Sequence, residues 1–310
     1  MIQNVLEVKN LVKNYGSYRA VNNISFNVER GKIVGLLGPN GAGKTTTIQM
    51  LLGITLHNGG EIRYFGKEFT KYREESLQRI SFASSFNTLQ GRINVMENLM
   101  VFAGLYKVKN AGSKIFELAE YFEISTLLKQ KYWDLSEGQK SRVNLIKALL
   151  NDPELILLDE PTASLDPDIA DKTLSFIENL NRKNSVSILY TSHNMNEVTR
   201  ICDEVIFLDM GEIVARDTPL GLTKRIVESN LILTFDGERK KVENYLNEKK
   251  YKFSFPKPYT VNIEVEEKLI PKIIFQLGET GIWITDIEVK KPTLEDVFLD
   301  IARKGKNVAK

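Results

Sequence analysis

Eight residues leave this chain few options: Gly38-Pro-Asn-Gly-Ala-Gly-Lys-Thr. The run before them, Lys32-Ile-Val-Gly-Leu-Leu-Gly, is continuously apolar and predicts a strand buried on both faces. The residues after them, from about Lys44 to Leu52, are spaced as a helix. A glycine-rich turn that leaves a buried strand and opens a helix is the context of a phosphate-binding loop. Glycine is needed where backbone must approach oxygen, and the N–H groups at a helix start point at an anion.

A second segment completes the chemistry. Leu155-Ile-Leu-Leu-Asp-Glu is another buried-strand run, ending in two acids. Asp159 can hold a Mg²⁺ shell, together with the Thr45 hydroxyl, while Lys44 reaches the phosphates of ATP. Glu160 is placed to orient or deprotonate an attacking water. The residues expected around the nucleotide phosphates are Gly38, Pro39, Asn40, Gly41, Ala42, Gly43, Lys44, Thr45 and Thr46.

Apolar runs elsewhere set the fold class. Val5-Leu-Glu-Val-Lys and Ile24-Ser-Phe-Asn-Val alternate as half-buried antiparallel strands do. Val186-Ser-Ile-Leu-Tyr reads as a buried strand, and Val205 to Val214 as a hairpin. The stretch from Glu97 to Lys131 has helical spacing. Strands alternating with helices predict an α/β domain with a mainly parallel sheet. The pattern restarts after Asp217-Thr-Pro, with strands from Leu231, over Val261–Val265 and over Trp283–Val289. Helices are expected over Glu238–Lys249 and Leu269–Thr280, with a short one from Thr293. The expected domains are therefore 1–222, with a helical part at about 86–140, and a small α+β unit over 223–310, ferredoxin-like in order.

Composition excludes several classes. The 310 residues are 42% hydrophobic and 26% charged, enough apolar material for a sizeable core. A net charge of +2 gives no support to nucleic acid as a partner. Cys202 is the only cysteine, so no internal disulfide can form. The N-terminus lacks the basic start and apolar run of a signal peptide. No stretch reaches the ~18 apolar residues of a membrane span, so a membrane role would need another polypeptide.

Further motifs carry a resemblance. Leu135-Ser-Glu-Gly-Gln, some twenty residues before Asp159, resembles the signature sequence of ATP-binding cassette (ABC) proteins. Pro161-Thr-Ala-Ser-Leu-Asp-Pro resembles that family's D-loop, and Thr191-Ser-His its switch segment. Tyr15, in Val12-Lys-Asn-Tyr-Gly, matches the aromatic that stacks on adenine. The resemblance covers residues 1 to about 220 and implies a P-loop NTPase domain of RecA-like type, with an antiparallel β subdomain and a helical subdomain. It implies that His193 contacts the γ-phosphate and that two cassettes pair head to tail. Ser136 and Gly138 of one would then complete the other's site, and Asp166, the acidic residue of the D-loop, is expected among the nucleotide-binding residues.

One position departs from the family. Ser85 stands where a glutamine is usual, a residue that ligates Mg²⁺ and senses the membrane partner; Gln90 lies five residues too late. Pro292-Thr-Leu-Glu-Asp-Val-Phe-Leu resembles the end of cassette subunits serving ABC-2 type exporters. The resemblance thus implies a peripheral ATPase at the cytoplasmic face of the cell membrane. Its expected partners are a separate transmembrane permease, contacted around Phe82–Glu97, and a second ATPase subunit, identical or closely homologous. A soluble or regulatory cassette ATPase not coupled to transport is the alternative.

Overall fold

A computed structural model describes residues 4–84, 88–224, 228–299 and 301. The chain divides into two compact units, residues 1–219 and 220–307.

The first unit opens with a long hairpin, β1 (Asn4–Tyr15) and β2 (Tyr18–Glu29), followed by β3 (Ile33–Leu37) and α1 (Lys44–Leu51). Next come β4 (Gly59–Tyr64), β5 (Lys67–Glu68), α2 (Arg73–Arg79) and β6 (Ile80–Ser84). Three helices succeed them: α3 (Val95–Leu105), α4 (Ala111–Tyr121) and α5 (Glu137–Leu149). The unit ends with β7 (Leu155–Asp159), α6 (Pro167–Asn184), β8 (Ser187–Thr191), α7 (Met195–Ile201), β9 (Glu204–Asp209) and β10 (Glu212–Asp217).

Two sheets result. One is antiparallel, in the order β2-β1-β4-β5; the other runs β10-β9-β3-β8-β7-β6 and is parallel except at its β10 edge. The expected mainly parallel sheet is therefore present, with Leu155 to Leu158 buried on both faces. A single apolar core joins the two sheets around α1: Val8, Phe26 and Ile62 from one, Leu36, Leu157 and Ile206 from the other, with Met50 and Leu51 between. The buried Tyr64 hydroxyl donates to the Leu51 carbonyl at 2.8 Å, satisfying one orphan oxygen at the end of α1. At the opposite edge, the N-terminal ends of the parallel strands are tied by charge. Glu154 accepts from Arg79 and Arg30, and Asp203 accepts from Lys32 and the Ile33 N–H. One edge of the sheet is anchored, which leaves the other for loops.

α8 (Pro219–Thr223) leads into the second unit: β11 (Glu228–Asp236), α9 (Arg239–Glu248), β12 (Lys252–Lys257), β13 (Thr260–Glu266), α10 (Ile270–Glu279) and β14 (Trp283–Lys290), then a helix over 294–299. The antiparallel sheet has the order β12-β13-β11-β14, which is the ferredoxin-like arrangement. Sequence patterning gave no sign of β12. It is a short edge strand containing Pro256, and a proline is tolerated there because no ladder N–H is needed on the open side.

Candidate active site

The C-terminal ends of β3, β8, β7 and β6 lie side by side. Ser84, Asp159 and Thr191 are aligned across β6, β7 and β8, and β3 flanks β8 through Gly35 and Tyr190. Open α/β sheets bind ligands at this edge.

The loop between β3 and α1 is held by close approach. Gly38, Gly41 and Gly43 have φ values of 152°, 82° and 102°. A Cβ on Gly38 would stand 2.2 Å from the Leu208 carbonyl oxygen, and one on Gly43 2.6 Å from that of Ala20. The loop is thus wedged between β2 and the β9–β10 turn, where the Gly211 N–H donates to the Ala42 carbonyl at 3.1 Å. Gly41 faces open space, and Pro39 and Asn40 sit half-buried and exposed beside it.

Helix α1 begins at Gly43 with no capping side chain and no acid in its first turn. Among the described residues, no acceptor takes the backbone N–H groups of Gly41, Gly43, Lys44, Thr45 and Thr46. Such a helix end is built for an anion. The Lys44 ammonium turns over the loop and donates to the carbonyls of Gly38 (2.6 Å) and Pro39 (3.2 Å). Burial lowers its pKa, while the carboxylates of Glu160 and Asp159 oppose that shift.

Thr191, buried at the end of β8, joins the two acids. Its hydroxyl donates to Asp159 Oδ1 at 2.6 Å and accepts the Glu160 N–H at 3.1 Å. Glu160 has φ 52°, a left-handed conformation costing on the order of 1–3 kcal/mol. Its N–H bonds to Thr191 hold it there. The His193 N–H donates to Glu160 Oε2 at 3.2 Å, and His193 Nε2 lies 3.2 Å from Oε1. Burial raises the Glu160 pKa above the ordinary carboxylate range, and the interactions with His193 oppose it. A carboxylate in this setting is a better base than one in water. Glu160 keeps 12% of its side chain exposed and His193 57%, so a water can reach both.

Tyr15 ends β1 half-exposed, opposite Tyr18 at the hairpin tip, with Lys13 Nζ 4.9 Å from its ring centre. Tyr18 carries no sequence signal, yet its hydroxyl donates to the Gly41 carbonyl at 3.4 Å and brings the hairpin to the loop. The oxygen donors Thr45, exposed, and Asp159, half-buried, suit a hard cation such as Mg²⁺, which takes few protein ligands beside phosphate and water. Among the described residues, no group of three His, Cys, Asp or Glu offers a self-sufficient metal site.

Ser136, Gly138 and Asp166 form a separate group. Ser136 begins α5 in a capping box with Gln139, accepting its N–H at 3.3 Å and donating its own to Oε1 at 2.9 Å. A Cβ on Gly138 would lie 3.0 Å from the Ser164 carbonyl oxygen, and the Ser141 hydroxyl donates to the Pro161 carbonyl at 3.2 Å. Asp166 is exposed at the start of α6, its side chain making no capping bond. Among the described residues, no hydrogen bond links Ser136 or Gly138 to residues 38–46. Ser85 lies outside the described residues. Gln90 is clamped to α3: its N–H donates to Asn98 Oδ1 at 3.0 Å and its carbonyl accepts from Asn98 Nδ2 at 2.9 Å.

Known proteins are similar to this chain. The family model described as "ABC transporter" matches residues 21–163. The linearmycin resistance ATP-binding protein LnrL of Bacillus subtilis (strain 168) is 30% identical over 96% of this chain and 98% of its own length. The Nod factor export ATP-binding protein I of Rhizobium meliloti (strain 1021) is 31% identical over 95% of this chain and 87% of its own. A solved ATP-binding subunit of an ABC transporter superposes with a TM-score of 0.67 at 27% identity, covering 71% of this chain and 92% of that one. With relatives matched along nearly the whole of both chains, this protein belongs to the ABC transporter ATP-binding proteins, the ATP-hydrolysing subunits that dimerise and power a membrane permease.

Proposed function

We propose that this ATPase drives export through a permease made as a separate polypeptide, working at the cytoplasmic face of the cell membrane as a pair of identical or closely similar subunits. Export is supported by the names of the relatives, one a Nod factor export protein and one a linearmycin resistance protein. The observation that carries the chemistry is the uncapped α1 N-terminus together with Glu160, held by Thr191 and His193 at the same sheet edge.

In this reading Tyr15 stacks on adenine, and the loop of residues 38–46 takes the phosphates through the N–H groups of Gly41, Gly43, Lys44, Thr45 and Thr46 and the Lys44 ammonium. Mg²⁺, for which Thr45 and Asp159 would be ligands and Ser85 a further one, would supply neutralising charge at the phosphates. Glu160 accepts the proton of the attacking water, and His193 contacts the γ-phosphate. Ser136 and Gly138 act on the partner subunit's nucleotide, and Asp166 of the D-loop is a further nucleotide-binding residue. Residues 1–222 form the nucleotide-binding domain, with its helical part at about 86–140, and residues 223–310 an accessory domain; the two compact units support that division.

A groove of about 550 Å³ between α2, β6 and α3, lined by Leu77, Phe82, Phe102, Leu105 and Tyr106, supports docking of a permease helix. Among the described residues, no helix is long and apolar enough to cross a membrane. Two measurements test the proposal. ATP hydrolysis should rise more steeply than linearly with protein concentration, since each site needs two subunits; a strictly proportional rate sinks the pairing. Leu105→Arg should weaken co-purification with the permease; unchanged association sinks the docking assignment and favours an ATPase uncoupled from transport.

A further inference from the structure

We infer that Glu197 is the positioning residue that holds Glu160 and His193 in one fixed relation, by tying the loop after Glu160 to the loop around His193. The inference rests on the roles proposed above for those two residues. Glu197 lies in the first turn of α7 and is buried, with 8% exposure. Its Oε2 accepts three hydroxyls: Thr162 at 2.8 Å, Tyr190 at 2.7 Å and Ser192 at 3.0 Å. Its Oε1 accepts from Asn194 Nδ2 at 3.2 Å.

The four donors come from three different places. Thr162 follows Glu160 by two residues, Ser192 and Asn194 flank His193, and Tyr190 belongs to β8. Among the described residues, no cation is paired with this carboxylate; its charge is met by hydrogen bonds alone. A buried charge of this kind is costly unless every lone pair is used, and breaking one arm leaves the remainder under-satisfied. Burial, and after it the charge of Glu197, hold the Tyr190 phenol protonated well above its usual range, so this donor persists. Thr162 also anchors its own loop, since its carbonyl accepts the Leu165 N–H at 3.0 Å. The two loops therefore share one acceptor and cannot shift independently. A displacement of residues 161–166, where the Ser164 carbonyl abuts Gly138, reaches Ser192 and hence the His193 N–H on Glu160.

Among the described residues, no hydrogen bond links this network to residues 38–46, so turnover and nucleotide binding should separate. The test measures Mg²⁺-ATP hydrolysis and ATP affinity of the full chain for Glu197→Ala, Glu197→Gln and, in parallel, Glu160→Gln. Glu197→Ala should lower kcat about 10–100-fold, the effect of misplacing reacting groups by an ångström or less, while KM and ATP affinity stay within about twofold. Glu197→Gln keeps an oxygen that can accept the hydroxyls of Thr162, Tyr190 and Ser192 and gives up only the Asn194 arm, so it should recover most of the loss. If Glu197→Ala does not fold, Thr162→Val and Ser192→Ala each remove one arm and should lower kcat by about 2–10-fold, as loss of one hydrogen bond does. Parental kcat in these variants while Glu160→Gln is inactive overturns the inference alone. Equal losses in kcat and ATP affinity also overturn it, because they indicate general disruption. Parental hydrolysis by Glu160→Gln overturns the base assignment and this inference with it.

Discussion

Helices α1 and α5 are both assigned a part in holding nucleotide in the proposed function, yet their first turns are built in opposite ways. α1 begins at a glycine with φ 102°, without a side-chain cap and without an acid. α5 begins at Ser136 with both arms of a capping box made and with Glu137 in its first turn. A good cap stabilises by about 1 kcal/mol, and an acid near the positive end adds about 0.3–1 kcal/mol. α1 forgoes both and leaves its N–H groups for a ligand. α5 is satisfied by its own chain, and in the proposed pairing it needs only to present Ser136 and Gly138 to a phosphate held by the other subunit. One helix end is a seat; the other is a lid that is stable on its own.

The largest expected effect asks whether these ends need a base at all. Glu160→Gln should lower turnover by ~10²–10⁴ while ATP still binds and dimers accumulate. Phosphate release at the parental rate would mean that the helix ends and Lys44 carry the reaction without Glu160. The pH profile sharpens the same point. The base works ionised, and burial raises its pKa, so kcat should fall with falling pH through a value above the ordinary carboxylate range. An acid limb at an ordinary carboxylate pKa would remove the burial effect from the account.

Lys44→Ala tests the seat itself. It removes the cation over the uncapped end and should weaken ATP affinity by about 10–100-fold, the worth of a charge-assisted hydrogen bond. Unchanged affinity would show that the N–H groups alone suffice. Ser136→Ala tests the lid. It should cost about 1 kcal/mol of stability through the lost cap and lower hydrolysis by dimers, with ATP affinity of the isolated subunit unaltered. A loss of affinity as large as that of Lys44→Ala would erase the contrast between the two ends. Removal of residues 220–310 should have the smallest effect on either end, leaving ATP affinity at the parental level in a titration.

Much of the catalytic unit was legible along the chain because its signals are local. A buried strand, a turn needing positive φ at Gly41 and Gly43, and a helix start all lie within twenty residues of one another. The partners of those residues were not legible. Thr191 looks like the last polar residue of an apolar run, and nothing nearby marks it as the bridge between Asp159 and Glu160. Tyr18 looks like a hairpin aromatic until its hydroxyl is found on the Gly41 carbonyl. β12 was hidden because a short edge strand with a proline lacks a continuous apolar pattern.

Glycines, apolar runs and acids at fixed spacing therefore settled where this chain would turn, what it would bury and which residues could face a phosphate. Each of those outcomes depends on φ, on side-chain size or on period, and all three are written in neighbouring residues. Tertiary structure alone decided that Asp159 and Thr191, thirty-two residues apart, would share a hydrogen bond, and that Glu197 would gather Thr162, Tyr190, Ser192 and Asn194. The parallel register of β7 on β8 sets the first, and the packing of α7 against the loops beyond them sets the second. A buried oxygen must find a donor among whatever the fold brings near it, and that choice is made only when distant strands close into one sheet.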